Sequence, residues 1–219
     1  MVNEFFDATI KSIKTSKREI VAHILLVFIL PILLIDFGII PVTMRITLFG
    51  LLLVLLMFIL FFEKWNFKML GFYKGSIKKY LLPYALFTGV GVFLIVQFAE
   101  SLTKVEELQG WWRYPHFIYL FFIVSLLQEV AYRGYLMPAL GKLVGEPASM
   151  ILINAILFTL LHTMFPGLTV GLPVAFVGGI GFAIMYYNYP SLPLIVISHS
   201  ILNFLIVLHG FFVIPGVTY

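Results

Sequence analysis

One stretch, residues 116–140 (HFIYLFFIVSLLQEVAYRGYLMPAL), limits the possible folds more than any other, because it is apolar enough to cross a bilayer yet carries Gln128, Glu129 and Arg133 near its middle. An ionisable group at mid-membrane costs roughly 2.5 to 3.5 kcal/mol even on lenient insertion scales, so a chain that keeps two normally uses them. Glu129 and Arg133 stand four apart on one helix face, where an internal ion pair is the simplest structural role.

The surrounding chain is of the same kind. Of its 219 residues 62% are hydrophobic and only 11% charged, which places it in the membrane class and predicts an all-α, polytopic transmembrane bundle. A span needs about 20 mostly apolar residues, and seven segments qualify: 20–40, 43–62, 81–99, 116–140, 148–164, 168–187 and 191–213. The domain reading is a single membrane unit over 1–219. In it, 1–19 form an interfacial amphipathic helix, 20–99 three peripheral spans and 116–213 a four-span core. The first 19 residues lack the apolar core and small-residue site of a signal peptide. Pro31 is expected to kink the first span, with His23 and Asp36 at its two interfaces. The glycines of the sixth span (Gly167, Gly171, Gly178, Gly179, Gly181) are explained by close helix packing.

Basic residues set the orientation. Lys11, Lys14, Lys17 and Arg18 precede the first span, Lys64, Lys68, Lys74, Lys78 and Lys79 separate the second from the third, and Lys142 follows the fourth. These segments are expected to be cytoplasmic, with Arg45, Lys104 and Arg113 outside and Trp111, Trp112 and Tyr114 in an external aromatic belt. The basic residues flank spans instead of forming an aromatic-studded stripe, so nucleic acid is not an expected partner. Without cysteine there is no disulfide, no thiolate chemistry and no cysteine-ligated metal. No cofactor and no metal is assigned.

At 1.5 Å per residue, Gln128 and Glu129 stand about 17 to 18 Å above the cytoplasmic face, His162 roughly 21 Å, His199 about 12 Å and Asn203 about 18 Å. His199 and Asn203 share a helix face, as do Phe158 and His162. His116 and His209 are read as interfacial or packing residues. Two histidines, an Asn, an Arg and a Gln-Glu pair in one slab suit amide hydrolysis by water. A carboxylate and a neutral imidazole can hold and deprotonate the water, while a His and an Asn can donate to the oxyanion of a tetrahedral intermediate. The same groups could bind a cation or relay protons, but a carrier predicts paired halves with interrupted helices, and no such repeat is present.

QEVAYRG (128–134), FTLLH (158–162) and HSILN (199–203) resemble, in order, the three signature motifs EExxxR, FxxxH and HxxxN of the CPBP family of intramembrane proteases, the CAAX prenyl endoproteases and the bacteriocin-processing Abi-type enzymes. The resemblance runs from about residue 116 to 213. It implies that His162 and the first acidic position activate water, that His199 and Asn203 form the oxyanion hole, and that Glu129 and Arg133 support the site. It implies a peptide or protein substrate at the membrane, entering laterally or from the cytoplasmic side; the short loops point to a prokaryotic plasma membrane. The chain departs from the pattern at Gln128, which can orient a water but cannot accept its proton. Three explanations stay open: Glu129 takes the base role, Gln128 replaces an original glutamate, or the chain is a silent member acting in bacteriocin immunity or as an envelope scaffold. No HExxH, GxGD or GxSx signature points to another intramembrane protease chemistry.

Overall fold

The structure is a computed structural model that describes residues 4–73, 75–101, 117–164 and 168–211. Among the described residues every regular element is helical. The expected aromatic belt, Lys74, Lys104, Arg113, His116 and Gly167 lie outside them.

The short helix α1 (Glu4–Ser12) begins with Glu4 and Asp7 and ends with Lys11, which matches side-chain charge to the helix dipole. It differs from the expected interfacial helix over 1–19. It is shorter, and its inner face is covered by protein: Phe6 is buried edge-on to Tyr186, and the helix packs on α7. A capping box then starts α2 (Lys17–His23): the Ser16 hydroxyl accepts from the Glu19 N–H, and Glu19 accepts from the Ser16 N–H. A π turn at Ile24–Ile29 links α2 to α3 (Leu30–Asp36). It lies just before Pro31, which has no N–H to give and whose ring crowds the carbonyl four residues back, so the ladder widens there.

The next two helices, α4 (Arg45–Phe62) and α5 (Ser76–Ser101), are long and sparsely covered. The run 116–140 lies on α6 (Phe117–Glu129), a second π turn (Val130–Leu136) and α7 (Met137–Val144). Gly145, at φ +71°, closes α7 by donating to the Gly141 carbonyl. Then come α8 (Pro147–Leu161), a 3-10 turn at His162–Met164, α9 (Leu168–Asn188) and α10 (Leu192–Leu208).

Contacts between helix ends fix the up-and-down order. At the lysine-rich end, Lys142 donates to the Ile13 carbonyl at 2.6 Å, Lys17 to Leu143 at 3.2 Å, Tyr186 to Leu70 at 3.0 Å and Tyr84 to Tyr189 at 3.0 Å. Gly71, at φ +85°, passes so close to Tyr186 that a Cβ would strike the phenol oxygen. At the other end, Thr163 donates to Asp36 at 2.6 Å and Arg45 to the Met164 carbonyl at 3.4 Å.

Five described helical stretches are long and apolar enough to span: Lys17–Asp36, Val42–Phe62, Ser76–Ser101, Pro147–Met164 and Thr169–Asn188. Seven were expected, and by length and apolarity five are counted among the described residues. The α6–α7 rod, with its buried charges, is not among the five, and Leu192–Leu208 is a shorter apolar helix. Span limits move as well. The third begins at Ser76 rather than 81, since Lys78 and Lys79 sit on its first turns, and the last ends at Leu208, with Gly210 at φ +70° two residues on. His23 is more than interfacial, because its Nδ1 lies 2.8 Å from the Tyr135 hydroxyl.

Candidate active site

The site is assembled around one carboxylate oxygen. Oε1 of Glu129, at the end of α6, accepts from Arg133 at 3.2 Å and from Nδ1 of His199 on α10 at 2.6 Å. Glu129 and Arg133 have no exposed surface and His199 has 1%. Charges removed from water to this degree persist only if they are paired and hydrogen-bonded, and this triplet is.

Arg133 lies on the π turn, four residues after Glu129. A second nitrogen of its guanidinium donates to the Gly179 carbonyl of α9 at 3.1 Å. The cation also sits 4.5 Å from the Phe158 ring centre and 5.5 Å from that of Phe182, so aromatic faces cover it on two sides. The wide turn has its own support: the Asn154 amide of α8 donates to the Tyr132 carbonyl at 2.7 Å. Inside α-helices, π turns frequently mark functional sites.

His162 follows the last residue of α8, in the 3-10 turn, so it does not continue the helix as expected. Its Nδ1 stands 2.8 Å from the Phe158 carbonyl. A carbonyl only accepts, so Nδ1 carries the proton, and in the neutral form of the ring the lone pair lies at Nε2. Phe158 is the hinge of the set, with its ring 4.8 Å from that of His162 and 5.6 Å from that of His199. On the other flank of His199, the Phe182 ring lies 4.6 Å away.

The remaining motif residues lie at the margin. Asn203, one turn beyond His199, donates from Nδ2 to the Ser125 hydroxyl at 3.3 Å. Its second amide hydrogen remains to be given elsewhere. Gln128 is half-buried, and its Oε1 is a buried acceptor with no hydrogen-bond partner among the described residues; the acceptors Oε2 of Glu129 and Oδ1 of Asn154 and the donor Nε of Arg133 are likewise without one. Four such atoms beside one ionic triplet mark a polar interior that a substrate amide or water would meet.

Of the six candidate residues, the fold joins Glu129, Arg133 and His199 directly and His162 through Phe158; Asn203 bonds Ser125 one turn before Glu129, and Gln128 adjoins Glu129 in the chain. The sequence reading missed Phe182, the Gly179 carbonyl, Ser125 and Asn154. Ser125 had a usable signal, being a polar residue four before Glu129 in an apolar run. A backbone carbonyl and a phenylalanine in a glycine-rich helix had none. His209 caps the C-terminus of α10 with its ring 6.5 Å from that of Phe211. Among the described residues no group of three or more His, Asp or Glu could hold a metal ion.

A polytopic helical membrane protein with a buried Glu-Arg-His centre and a second histidine beside it is the class that fold and site define. Residues 110–205, a little under half the chain, match the family model described as Rce1-like, type II CAAX prenyl endopeptidase. This segment contains all three motifs and is similar to that family of intramembrane proteases. No curated protein and no solved structure matches the chain.

Proposed function

We propose that the chain is an intramembrane endopeptidase of the CAAX type, in which His162 is the general base and Gln128 holds the water. One observation carries this reading: Oε1 of Glu129 is already committed to Arg133 and His199, inside the segment that matches the protease family. A carboxylate oxygen engaged in that way positions its neighbours, and a proton taken by Glu129 would have to go to Oε2. Nε2 of His162, with Nδ1 held by the Phe158 carbonyl, is the better acceptor.

In this scheme the water oxygen attacks the scissile carbonyl carbon, its proton passes to Nε2 of His162, and the carbonyl π electrons move onto oxygen. The second Nδ2 hydrogen of Asn203 and an imidazolium at His199, balanced by Glu129, donate to that oxyanion. Collapse of the intermediate breaks the C–N bond, and His162 returns its proton to the leaving amine. Burial strengthens each of these interactions. The substrate is a peptide or a membrane-associated protein, and the setting a prokaryotic plasma membrane. A second reading is favoured by Gln128 alone: a silent member that binds peptides, in immunity or as a scaffold.

The test is cleavage of a fluorogenic peptide panel in liposomes by the chain as it stands, by Gln128→Glu and by His162→Ala. The expected result is slow cleavage by the first, a gain of about 10²-fold for Gln128→Glu and none for His162→Ala. Undiminished cleavage by His162→Ala would remove it as the base, and cleavage by Gln128→Glu alone would select the silent member.

A further inference from the structure

At the lysine-rich end, away from the buried triplet, the link between α1 and α2 and the end of α4 enclose a cleft of about 360 Å³. Its walls carry both signs of charge. Lys14 and Lys64 bring ammonium groups and Thr15 a hydroxyl, while Glu19 and Glu63 bring carboxylates. Glu19 is occupied by the Ser16 N–H of the capping box. Glu63 is not satisfied in the same way.

Oε2 of Glu63 accepts from the Trp65 indole at 2.9 Å, but its Oε1 is buried and takes no hydrogen bond among the described residues, although Nδ1 of His23 stands 3.3 Å away. The reason lies in Tyr135. Its hydroxyl is 2.8 Å from the same nitrogen, and in the tautomer that carries the ring proton on Nε2 the phenol donates there, so His23 has no proton to offer Glu63 at Nδ1. A buried carboxylate oxygen without a donor is costly unless a ligand supplies one. The adjoining Lys64, at φ +59°, is the left-handed residue that closes α4, where the Trp65 N–H donates to the Leu60 carbonyl at 2.8 Å, and this turn sets Lys64 in the wall of the cleft.

The cleft also has the right neighbours. α4 packs against the first π turn, and Val21 and Leu25 on one helix and Phe58 and Phe62 on the other are exposed apolar residues running from the cleft toward bilayer depth. Phe58 and Phe62 stack at 6.3 Å, forming a continuous surface on which an acyl chain can lie.

We propose that this cleft binds the headgroup of a phospholipid that carries both a phosphate and a primary ammonium. Lys14, Thr15 and Lys64 hold the phosphate, and Oε1 of Glu63 accepts an N–H from the ammonium. A purely anionic headgroup would face two carboxylates. A quaternary ammonium has no N–H to give and seeks several electron-rich aromatic faces, whereas the lining among the described residues offers one phenyl ring, Phe62, and the His23 imidazole.

Native mass spectrometry of the full chain in detergent tests this, with ethanolamine, glycerol and choline phospholipids of matched acyl chains titrated in turn. The ethanolamine lipid should bind about tenfold more tightly than the other two. Glu63→Gln should abolish that preference without weakening the glycerol lipid, and Lys14→Gln combined with Lys64→Asn should weaken all three; asparagine suits the left-handed backbone at 64. Equal binding of the three lipids by the unaltered chain, or a preference that survives Glu63→Gln, would overturn the proposal. The comparison on the unaltered chain needs no variant, so a variant that fails to fold leaves the test intact.

Discussion

Helices α4 and α8 are both apolar enough to span, yet only 11% of the spanning window that contains α4 is buried within the protein, against 44% for the one that contains α8. In α4, Leu56 and Leu60 face inward and most of the remaining large side chains face outward. In α8, Asn154, Ala155 and Phe158 are all covered by neighbouring helices. Apolar surface gains nothing by leaving lipid for protein, so hydrophobicity puts a helix into the bilayer without telling it what to pack on. Polar atoms do that. Asn154 finds the Tyr132 carbonyl and Arg133 finds that of Gly179, and these bonds gather α6 to α10 into the core while α4 stays at the rim.

The strongest way to break this contrast is to remove one member of the buried triplet. Arg133→Ala should destabilise the protein by about 3 to 5 kcal/mol, because Glu129 is left charged and dry, whereas Phe61→Ala on the outer face of α4 should stay within about 0.5 kcal/mol. Denaturant titration in mixed micelles measures both, and equal losses would mean that the rim is as tightly specified as the core. Glycines offer a second comparison. A Cβ at Gly179 would stand 3.1 Å from Phe158 and 3.4 Å from the Ala155 backbone, while one at Gly50 would meet nothing within 4 Å. Gly179→Val should therefore cost about 1 to 3 kcal/mol and Gly50→Val should be neutral or mildly stabilising, as read from melting temperatures.

The smallest effect lies between the helices. Glu146 caps α8, and hydrogen bonding from the Ser149 hydroxyl, then from the Ser149 and Ala148 N–H groups, holds its carboxyl below the usual 4.5. A lowered carboxyl in the folded state stabilises above the unfolded value and loses that contribution as pH falls through the folded one. Melting temperature from pH 6 down to pH 3 should thus decline slightly more steeply for the unaltered chain than for Glu146→Gln. Identical slopes would show that the cap carries no linkage.

Much of this fold was legible because hydropathy is a one-dimensional signal. The core of each apolar run became a helix, and the three motifs lie on α6 with its π turn, on α8 with its 3-10 turn, and on α10. Less legible was anything set by a change of helical pitch. The π turn at Val130–Leu136 carries Arg133, and the 3-10 turn at His162–Met164 carries His162, yet a fixed period of 3.6 residues treats both positions as ordinary helix. Hydropathy also cannot tell lipid from protein as a covering. For that reason nothing in residues 1–19 marked Phe6 as the side chain buried against Tyr186 and Tyr187. Phe182 gave no signal for a similar reason: a phenylalanine facing His199 and one facing lipid look the same in a sequence.

The four-residue spacing of Glu129 and Arg133 has a consequence for biosynthesis. The chain emerges in order, and Gly179 and His199 lie 46 and 70 residues beyond the groups they bond. At bacterial to eukaryotic elongation speeds of about 5 to 20 residues per second, His199 is made about 4 to 14 seconds after Glu129. During that interval the nascent α6–α7 rod has to enter the membrane with its later partners not yet synthesised. A counter-ion one turn away lets the segment travel as a neutral dipole. Separating the two charges by one residue should lower insertion of the isolated segment in a glycosylation-mapping assay, before any effect on the finished protein. The ion pair that anchors the mature site therefore also serves as its escort during synthesis.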